Sequence, residues 1–194
     1  MTEFVVSQPE WLDAFLASKP KVFPTLEDRM NLVMEATELN IKHKTGGPFG
    51  SAVFELNSGK LVAVGVNSVM RHGWSGAHAE AMAIIFASKA IGSYDLGGPV
   101  IPEHQLVVNG QPCAMCFGTI IWSGVVEVAW GATSKEIEEL TGFDEGPLTA
   151  NYVEELENRG IRVITDVLRE ENIKVIATYK NSQGIIYNAR QGKP

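Results

Sequence analysis

Three side chains, carried by two short motifs, have the chemistry of metal ligands. His78 opens His78-Ala79-Glu80, and the chain's two cysteines, Cys113 and Cys116, stand three positions apart. A helix that begins at Cys113 places both sulfur atoms on one face, and its N-terminus favours their thiolate forms. Two thiolates and one imidazole suit Zn²⁺, and three protein ligands leave the fourth position open to water, as in catalytic sites. The spacing therefore predicts one catalytic Zn²⁺ per chain.

Glu80 adds an acid–base group beside the predicted metal site. Its carboxylate, two residues beyond His78, is expected to border the metal without binding it and to carry protons between water and a substrate, which favours a hydrolytic enzyme. A Cys-x-x-Cys pair also fits a thiol redox protein or a non-catalytic binding module stabilised by a closed zinc site, and both remain alternatives. The other histidines show no ligand spacing. His43 and His104 are expected at the surface, and His72 in a solvated loop.

Length and charge limit the classes of partner. The 194 residues fit one domain with a sizeable core, and the formal net charge of -7 argues against nucleic acid, whose phosphates attract clustered lysine and arginine. No apolar run approaches the ~20 residues of a membrane span, and the first residues do not resemble a secretory signal. Two cysteines in a metal-ligand pattern fit a reducing compartment. We therefore expect a cytoplasmic protein that acts on a small molecule, with neither membrane nor nucleic acid as a partner.

Alternating helices and strands predict an α/β layered architecture. Residues 1–24 form an N-terminal extension with a short helix, and a long helix follows from the N-cap Thr25 to about Lys44. Two strands, over 51–56 and 61–66, are expected to form a hairpin. The other predicted elements are helices at 80–90, 113–122, 135–140, 152–158 and 167–179, strands at 106–108, 125–130 and 162–164, and a closing strand or docked tail at 185–187.

Together these motifs resemble the cytidine/deoxycytidylate deaminase superfamily, in particular its purine-acting branch, from about Met30 to Phe143. The resemblance implies a three-layer α/β/α sandwich around a central five-stranded mixed sheet, a single zinc-dependent deaminase domain over 25–194 that includes the C-terminal helix and tail, and a homodimer. The segments that carry it are Gly47-Pro48-Phe49-Gly50, Asn67, His78-Ala79-Glu80, Pro112-Cys113-Ala114-Met115-Cys116-Phe117-Gly118 and Ile120-Ile121-Trp122-Ser123-Gly124-Val125.

The resemblance also implies roles for residues around the metal. Asn67 would hydrogen-bond the edge of a heterocycle as both donor and acceptor, and Phe49 would stack on the ring. Backbone N–H groups at the helix starts near Ala79 and Cys113 would face the negative charge that develops during the reaction. Glu80 would be the proton carrier of the reaction.

An acidic segment points to a purine base as the substrate. Gly142-Phe143-Asp144-Glu145-Gly146-Pro147 resembles the acidic loop of bacterial guanine deaminases, which makes Glu145 the expected second proton carrier and Asp144 its rival. The resemblance therefore implies deamination of guanine to xanthine and ammonia. A deaminase of an ammeline-type triazine, cytosine, adenine or tRNA adenosine is the nearest alternative.

Three features extend or depart from the family pattern. Relatives commonly have Thr-x-Glu before Pro-Cys, whereas this chain has Asn109-Gly110-Gln111, which leaves the preferred base open. Trp122 is expected to pack against neighbouring elements rather than to contact a ligand. The tail Tyr187-Asn188-Ala189-Arg190 either closes a site, its own or a partner's, or is merely docked.

Overall fold

A five-stranded sheet forms the centre of the protein in the computed structural model, which describes residues 2–190. The order across the sheet is β2-β1-β3-β4-β5. Strand β1 is antiparallel to β2 and β3, and β4 is parallel to β3 and β5. This arrangement confirms the predicted mixed sheet. The strands are β1 (Gly50–Glu55), β2 (Leu61–Val66), β3 (His104–Gly110), β4 (Glu127–Ala132) and β5 (Arg162–Ile164).

Every helix predicted from the sequence is present, and α3 is an addition. The ends move by a few residues, so that α2 stops at Lys42 and the last helix begins at Arg169. Residues 185–187 form a docked tail and not a strand. The helices are α1 (Trp11–Ala17), α2 (Leu26–Lys42), α3 (Val69–His72), α4 (Ala79–Ile91), α5 (Ala114–Ser123), α6 (Ser134–Thr141), α7 (Tyr152–Glu157) and α8 (Arg169–Asn181).

Helices cover both faces of the sheet and complete the three predicted layers. Val107 of β3 packs with α2 and α8 on one face, whereas Leu106 and Val108 pack with α4, α5 and α7 on the other, because successive strand residues point to opposite sides. The N-terminal extension joins this core, since Leu12 and Phe23 are buried with α2. Among the described helices, none has the length and apolar character required to cross a bilayer.

Reciprocal caps fix where two important helices begin. In α2 the Thr25 side chain accepts a hydrogen bond from the N–H of Asp28, whose carboxylate accepts one from the N–H of Thr25. Thr133 and Glu136 repeat this capping box in α6. Helix α6 then ends at Gly142, as predicted, and the chain enters the acidic loop.

Three side chains lie elsewhere than predicted. His104 is buried because it opens β3 between β1 and β4, and its Nδ1 lies 2.6 Å from the carbonyl oxygen of Leu96, so the predicted surface position is wrong. Trp122 is 86 % exposed because other residues of α5 take the helix face that packs on the sheet, so its predicted packing is also wrong. His43 is exposed, as predicted, whereas His72 is half-buried in α3 and not in a solvated loop.

Candidate active site

The three predicted metal ligands form one cluster at the edge of the sheet where β3 ends. His78 is the N-cap of α4 and Cys113 is the N-cap of α5. Nδ1 of His78 lies 3.4 Å from Sγ of Cys113 and 3.7 Å from Sγ of Cys116, and the three ligand atoms lie within 4.8 Å of one another. Tetrahedral zinc bonded to nitrogen and sulfur at ordinary lengths needs ligand separations of about 3.6 Å. The donor set and its spacing therefore fit Zn²⁺, and these residues form a candidate zinc site.

The electrostatics of the cluster suit a cation. A hydrogen bond from Cys116 lowers the pKa of Cys113 to about 4; burial opposes this effect and the adjacent His78 adds to it. The sulfur of Cys113 is therefore negative at neutral pH although it is buried. The N-terminus of α5 favours the same charge. A bound cation would compensate this negative charge.

Two carboxylates lie beside the cluster without a basic partner. Glu80 belongs to the first turn of α4, and Glu145 lies in the loop after α6. Burial, and after it the negative charge of Cys113, raises the pKa of Glu80 to about 7 and that of Glu145 to about 8, although the nearby His78 acts in the opposite direction. Within residues 2–190, neither carboxylate forms an ion pair with lysine or arginine. Both can therefore take up and release a proton near neutral pH.

The geometry favours Glu145 over Asp144 as the second carboxylate. Glu145 is buried, and its carbonyl oxygen accepts a hydrogen bond of 3.0 Å from the N–H of Ala114, at the start of the cysteine-bearing helix. Asp144 is exposed, and its Oδ1 accepts the N–H of Gly146. The two neighbours thus differ in the property that acid–base chemistry requires, which is burial next to the metal ligands.

Asn67 offers the site a donor. The residue follows β2, is 1 % exposed, and its Oδ1 accepts hydrogen bonds of 3.3 Å from the N–H groups of both Gly47 and Val69. Because the carboxamide oxygen is engaged by the backbone, its NH₂ group remains available to a ligand. In this arrangement Asn67 can offer a ligand its donor, and its predicted role in binding a base stays a prediction.

Two cavities share the cluster as a wall. The outer cavity has a volume of about 380 Å³, and Phe49 and Phe143 line it with ring centroids 5.3 Å apart in an edge-to-face arrangement. The inner cavity, about 20 Å³, is lined by Asn67, Glu80 and Gln111 together with residues of the outer wall. The outer space thus offers aromatic surface for a flat ring, and the inner space holds the polar groups.

The remaining predicted residues play smaller parts in this geometry. Ala79 is buried and lines neither cavity; its N–H lies in the first turn of α4, where no helix carbonyl is available to it. Gln111 accepts a hydrogen bond of 3.1 Å from the N–H of Ser134, so its carboxamide joins the inner cavity to α6.

Two further residues, Phe143 and Tyr187, line the outer cavity. The sequence analysis assigns no role to Phe143, and its place directly before the acidic pair is the signal from which one could be predicted. Tyr187 belongs to the tail that is expected to close a site or to dock, and its hydroxyl is buried and lacks a hydrogen-bond partner within the described residues. Asn188 docks the tail, since it accepts the N–H of Asp144 and donates to the carbonyl of Gly142, both at 2.9 Å. The tail therefore lies over the cavity of its own chain.

The sequence and the fold match known deaminases. Residues 24–132, more than half of the chain, match the family described as the cytidine and deoxycytidylate deaminase zinc-binding region. The chain belongs to this family. Its candidate zinc site is the cluster of His78, Cys113 and Cys116, and the resemblance inferred from the motifs is confirmed.

Individual relatives are similar over different shares of their length. The chain is 35 % identical over 100 residues to a guanine deaminase from Bacillus subtilis, a match that covers 52 % of this chain and 59 % of that protein, less than two thirds of its length. A solved structure of guanine deaminase from Nitrosomonas europaea is 38 % identical, with a TM-score of 0.87, over 92 % of this chain and 97 % of that one. The structure of NE0047 in complex with 2,6-diaminopurine is 40 % identical, with a TM-score of 0.88, over 96 % and 97 %.

Proposed function

We propose that this protein is a zinc-dependent aminohydrolase that converts guanine and water to xanthine and ammonia, and so takes part in guanine breakdown. The observation that carries the proposal is the meeting, at one aromatic-walled cavity, of a three-ligand metal cluster and two buried carboxylates without basic partners. The choice of guanine is supported by the two similar guanine deaminases and by the relative that binds 2,6-diaminopurine.

The proposed chemistry uses Glu80 and Glu145 as two proton carriers. Zinc, when bound, supplies a water activated for attack at neutral pH. Glu80 accepts a proton from that water and passes it to the ring nitrogen beside C2 of the base. Glu145 provides the proton with which the 2-amino group leaves as ammonia, and the proton of the new C2 hydroxyl returns to a carboxylate of the site as the C2 carbonyl forms. Both steps suit carboxyl groups whose pKa values lie near neutrality, at about 7 and about 8.

The base is proposed to be held by a donor and two aromatic rings. Asn67 would donate its NH₂ group to an acceptor on the ring edge, and Phe49 and Phe143 would contact the ring. The first-turn N–H of Ala79 would face the negative charge that develops on the attacked carbon's substituents. The ring would occupy the outer cavity of about 380 Å³, which Tyr187 also lines, with one edge toward the polar groups of the inner cavity.

Ammonia release from a panel of bases tests this function. Purified protein would be assayed with guanine, cytosine, ammeline, adenine and tRNA adenosine, and its zinc content would be measured in the same samples. We expect guanine turnover with about one zinc per chain. Turnover of another substrate but not guanine would contradict the substrate, and zinc binding with no turnover of any base would instead support a non-catalytic module.

We also propose that two copies pair through α4 and α5. Met115 and Trp122, two turns apart on α5, are 41 % and 86 % exposed, and Ile85 on α4 is 38 % exposed, so an apolar strip faces outward. Light scattering after size exclusion should give the mass of a homodimer for the wild type and of a monomer for Trp122→Glu. A monomeric wild type would contradict the pairing.

Two further proposals concern the chain as a whole. We propose a cytoplasmic location, because thiolate ligands are kept reduced there; fractionation of cells would test it. We also propose that residues 25–194 form the deaminase domain and that 1–24 are an extension that stabilises it through Leu12 and Phe23. Removal of the extension should lower the melting temperature and leave the zinc content unchanged.

A further inference from the structure

The chain that leads from α2 into β1 brings Phe49 to the wall of both cavities, and we name residues 46–50, the last of which opens β1, the α2–β1 segment. The segment carries Phe49 and lies against the backbone at Asn67. Side chains at Gly46 and Gly47 would collide with the Asn67 carbonyl and the Tyr187 hydroxyl, respectively, so the segment leaves no spare room. A small displacement of this segment would therefore move both proposed base-binding residues.

Asn109 of β3 holds one end of the segment. Its Nδ2 donates to the carbonyl of Pro48 at 2.9 Å, and its Oδ1 accepts the N–H of Gly50 at 3.0 Å. The side chain thus forms hydrogen bonds with the backbone on both sides of Phe49, donating one and accepting one as a neighbouring strand would. Asn109 is fully buried, so water does not compete for these bonds.

Asn40 of α2 holds the other end. Its Nδ2 donates to the carbonyl of Gly47 and to the carbonyl of Asn67, both at 3.0 Å, and its Oδ1 accepts the hydroxyl of Thr45 at 2.7 Å. One buried carboxamide therefore joins the segment to the backbone that carries Asn67.

A carboxamide suits both positions because it offers donors and an acceptor in one plane. An aspartate at position 109 would keep the acceptor for Gly50 but would turn a second oxygen toward the carbonyl of Pro48. A serine would offer a single hydroxyl on a shorter side chain. That hydroxyl could not reach both the carbonyl of Pro48 and the N–H of Gly50, which Asn109 contacts with two separate atoms. Asn109 is the first residue of Asn109-Gly110-Gln111, the segment that departs from the family pattern. Its side chain gives this segment a specific contact with the backbone at Pro48 and Gly50.

We propose that Asn40 and Asn109 are positioning residues for base binding: together they fix the α2–β1 segment so that Phe49 and Asn67 face the base. This inference rests on the proposed function. Neither asparagine lines the cavities, so both act through the backbone that they hold. Their loss should weaken binding of the base more than it slows the proton transfers of Glu80 and Glu145.

The test compares fully buried asparagines whose Nδ2 groups donate to backbone carbonyls; Asn40 and Asn109 also accept through Oδ1, whereas Oδ1 of Asn172 has no partner among the described residues. Asn109→Asp, the milder Asn109→Ser, and Asn40→Asp would be compared with Asn172→Asp; Asn172 is also fully buried and also donates to two backbone carbonyls, those of Val167 and Leu168, but lines neither cavity. Guanine kinetics, 8-azaguanine affinity by calorimetry, zinc content and urea unfolding would be measured for each protein.

We expect the variants at 109 and 40 to raise KM and the 8-azaguanine Kd about tenfold or more, with kcat within about threefold of the wild type and zinc unchanged. Asn172→Asp should lower stability and leave KM unchanged. Folded, zinc-loaded Asn109→Asp and Asn109→Ser with wild-type KM and Kd would overturn the positioning role. An inactive wild type would instead overturn the proposed function, and 8-azaguanine affinity would then decide the positioning role.

Discussion

Buried carboxylates at the two ends of the central sheet differ in whether they are paired with arginine. At the end where β3 and β4 begin, Glu127 is 5 % exposed, and it accepts hydrogen bonds from Gln105 and from Arg162, whose Nη2 lies 2.7 Å away. Gln105 in turn accepts from the buried guanidinium of Arg29 at 2.8 Å. This end is a closed polar network in which each charge is compensated.

At the other end, Glu80 and Glu145 are 6 % and 7 % exposed, nearly the same as Glu127, but within residues 2–190 neither forms an ion pair with lysine or arginine. Their pKa values are raised by burial to about 7 and about 8. Carboxylates of nearly equal burial therefore differ in what they can do. Glu127 is paired with arginine and serves the structure, whereas Glu80 and Glu145, which lack such a pair, can hold a proton near neutral pH. The comparison predicts that substitutions at the two ends will separate stability from activity.

The largest expected effect is that of Glu80→Gln. The amide keeps the size of the side chain but cannot carry a proton, so guanine turnover should fall about 10³-fold or more, while the metal ligands are untouched. Turnover and zinc content would be measured on the same protein. Substantial remaining activity at one zinc per chain would contradict the assignment of Glu80 as the proton carrier.

Glu145→Gln should have the next largest effect, a fall in kcat of about 10²-fold, because the second proton would then lack its donor. Asp144→Asn is the matched control, since it removes a neighbouring but exposed carboxylate. It should change kcat less than about threefold. If the two variants lost activity equally, or if Asp144→Asn lost more, burial would not be the property that selects the second carboxylate.

At the opposite end, Glu127→Gln should act on stability and not on the reaction. It removes the charge that compensates the buried Arg29, and we expect a loss of about 2–4 kcal/mol in the free energy of unfolding. Urea denaturation would measure the loss. The kcat and KM of the folded, zinc-loaded variant should match those of the wild type, and a fall in kcat like that of Glu80→Gln would end the contrast between the two ends.

Local sequence signals were sufficient to bring the three predicted metal ligands and Glu80 together. His78, Glu80 and the Cys113 and Cys116 pair lie at helix starts, where spacing along the chain already determines which atoms share a face. The strand and helix order could also be predicted, since each element carries its own periodicity and caps. Glu145 depended on a resemblance, because its burial follows from packing of the acidic loop against α5.

The rest depended on contacts between residues far apart in the chain. The N–H of Gly47 donates to the side-chain oxygen of Asn67, 20 residues away, and Asn109 donates to the carbonyl of Pro48, 61 residues away. The surface position predicted for His104 is wrong because the type of this residue and its neighbours do not reveal that β3 starts between two strands. Periodicity identifies a face of an element, but only the packed fold decides what lies against it.

The smallest expected effect concerns Glu136, a carboxylate that is paired with Arg169 but is partly exposed. Hydrogen bonds from Arg169, then from Thr133, lower the pKa of Glu136 to about 2 from its ordinary 4.5. Because the folded-state pKa is the lower one, the pair stabilises the fold above about pH 4.5, and this contribution disappears as the pH falls toward 2. Exposure and salt limit it to less than about 1 kcal/mol.

Glu136→Gln retains an oxygen for the Thr133 cap and removes the charge. Urea denaturation between pH 7 and pH 3 should therefore show a wild-type advantage of less than about 1 kcal/mol at pH 7 that shrinks steadily as the medium becomes more acidic. Guanine turnover should not change. An advantage that grew on acidification would mean that Glu136 holds a proton in the folded state, as Glu80 and Glu145 do, and that pairing with a cation is not what distinguishes a structural carboxylate in this fold.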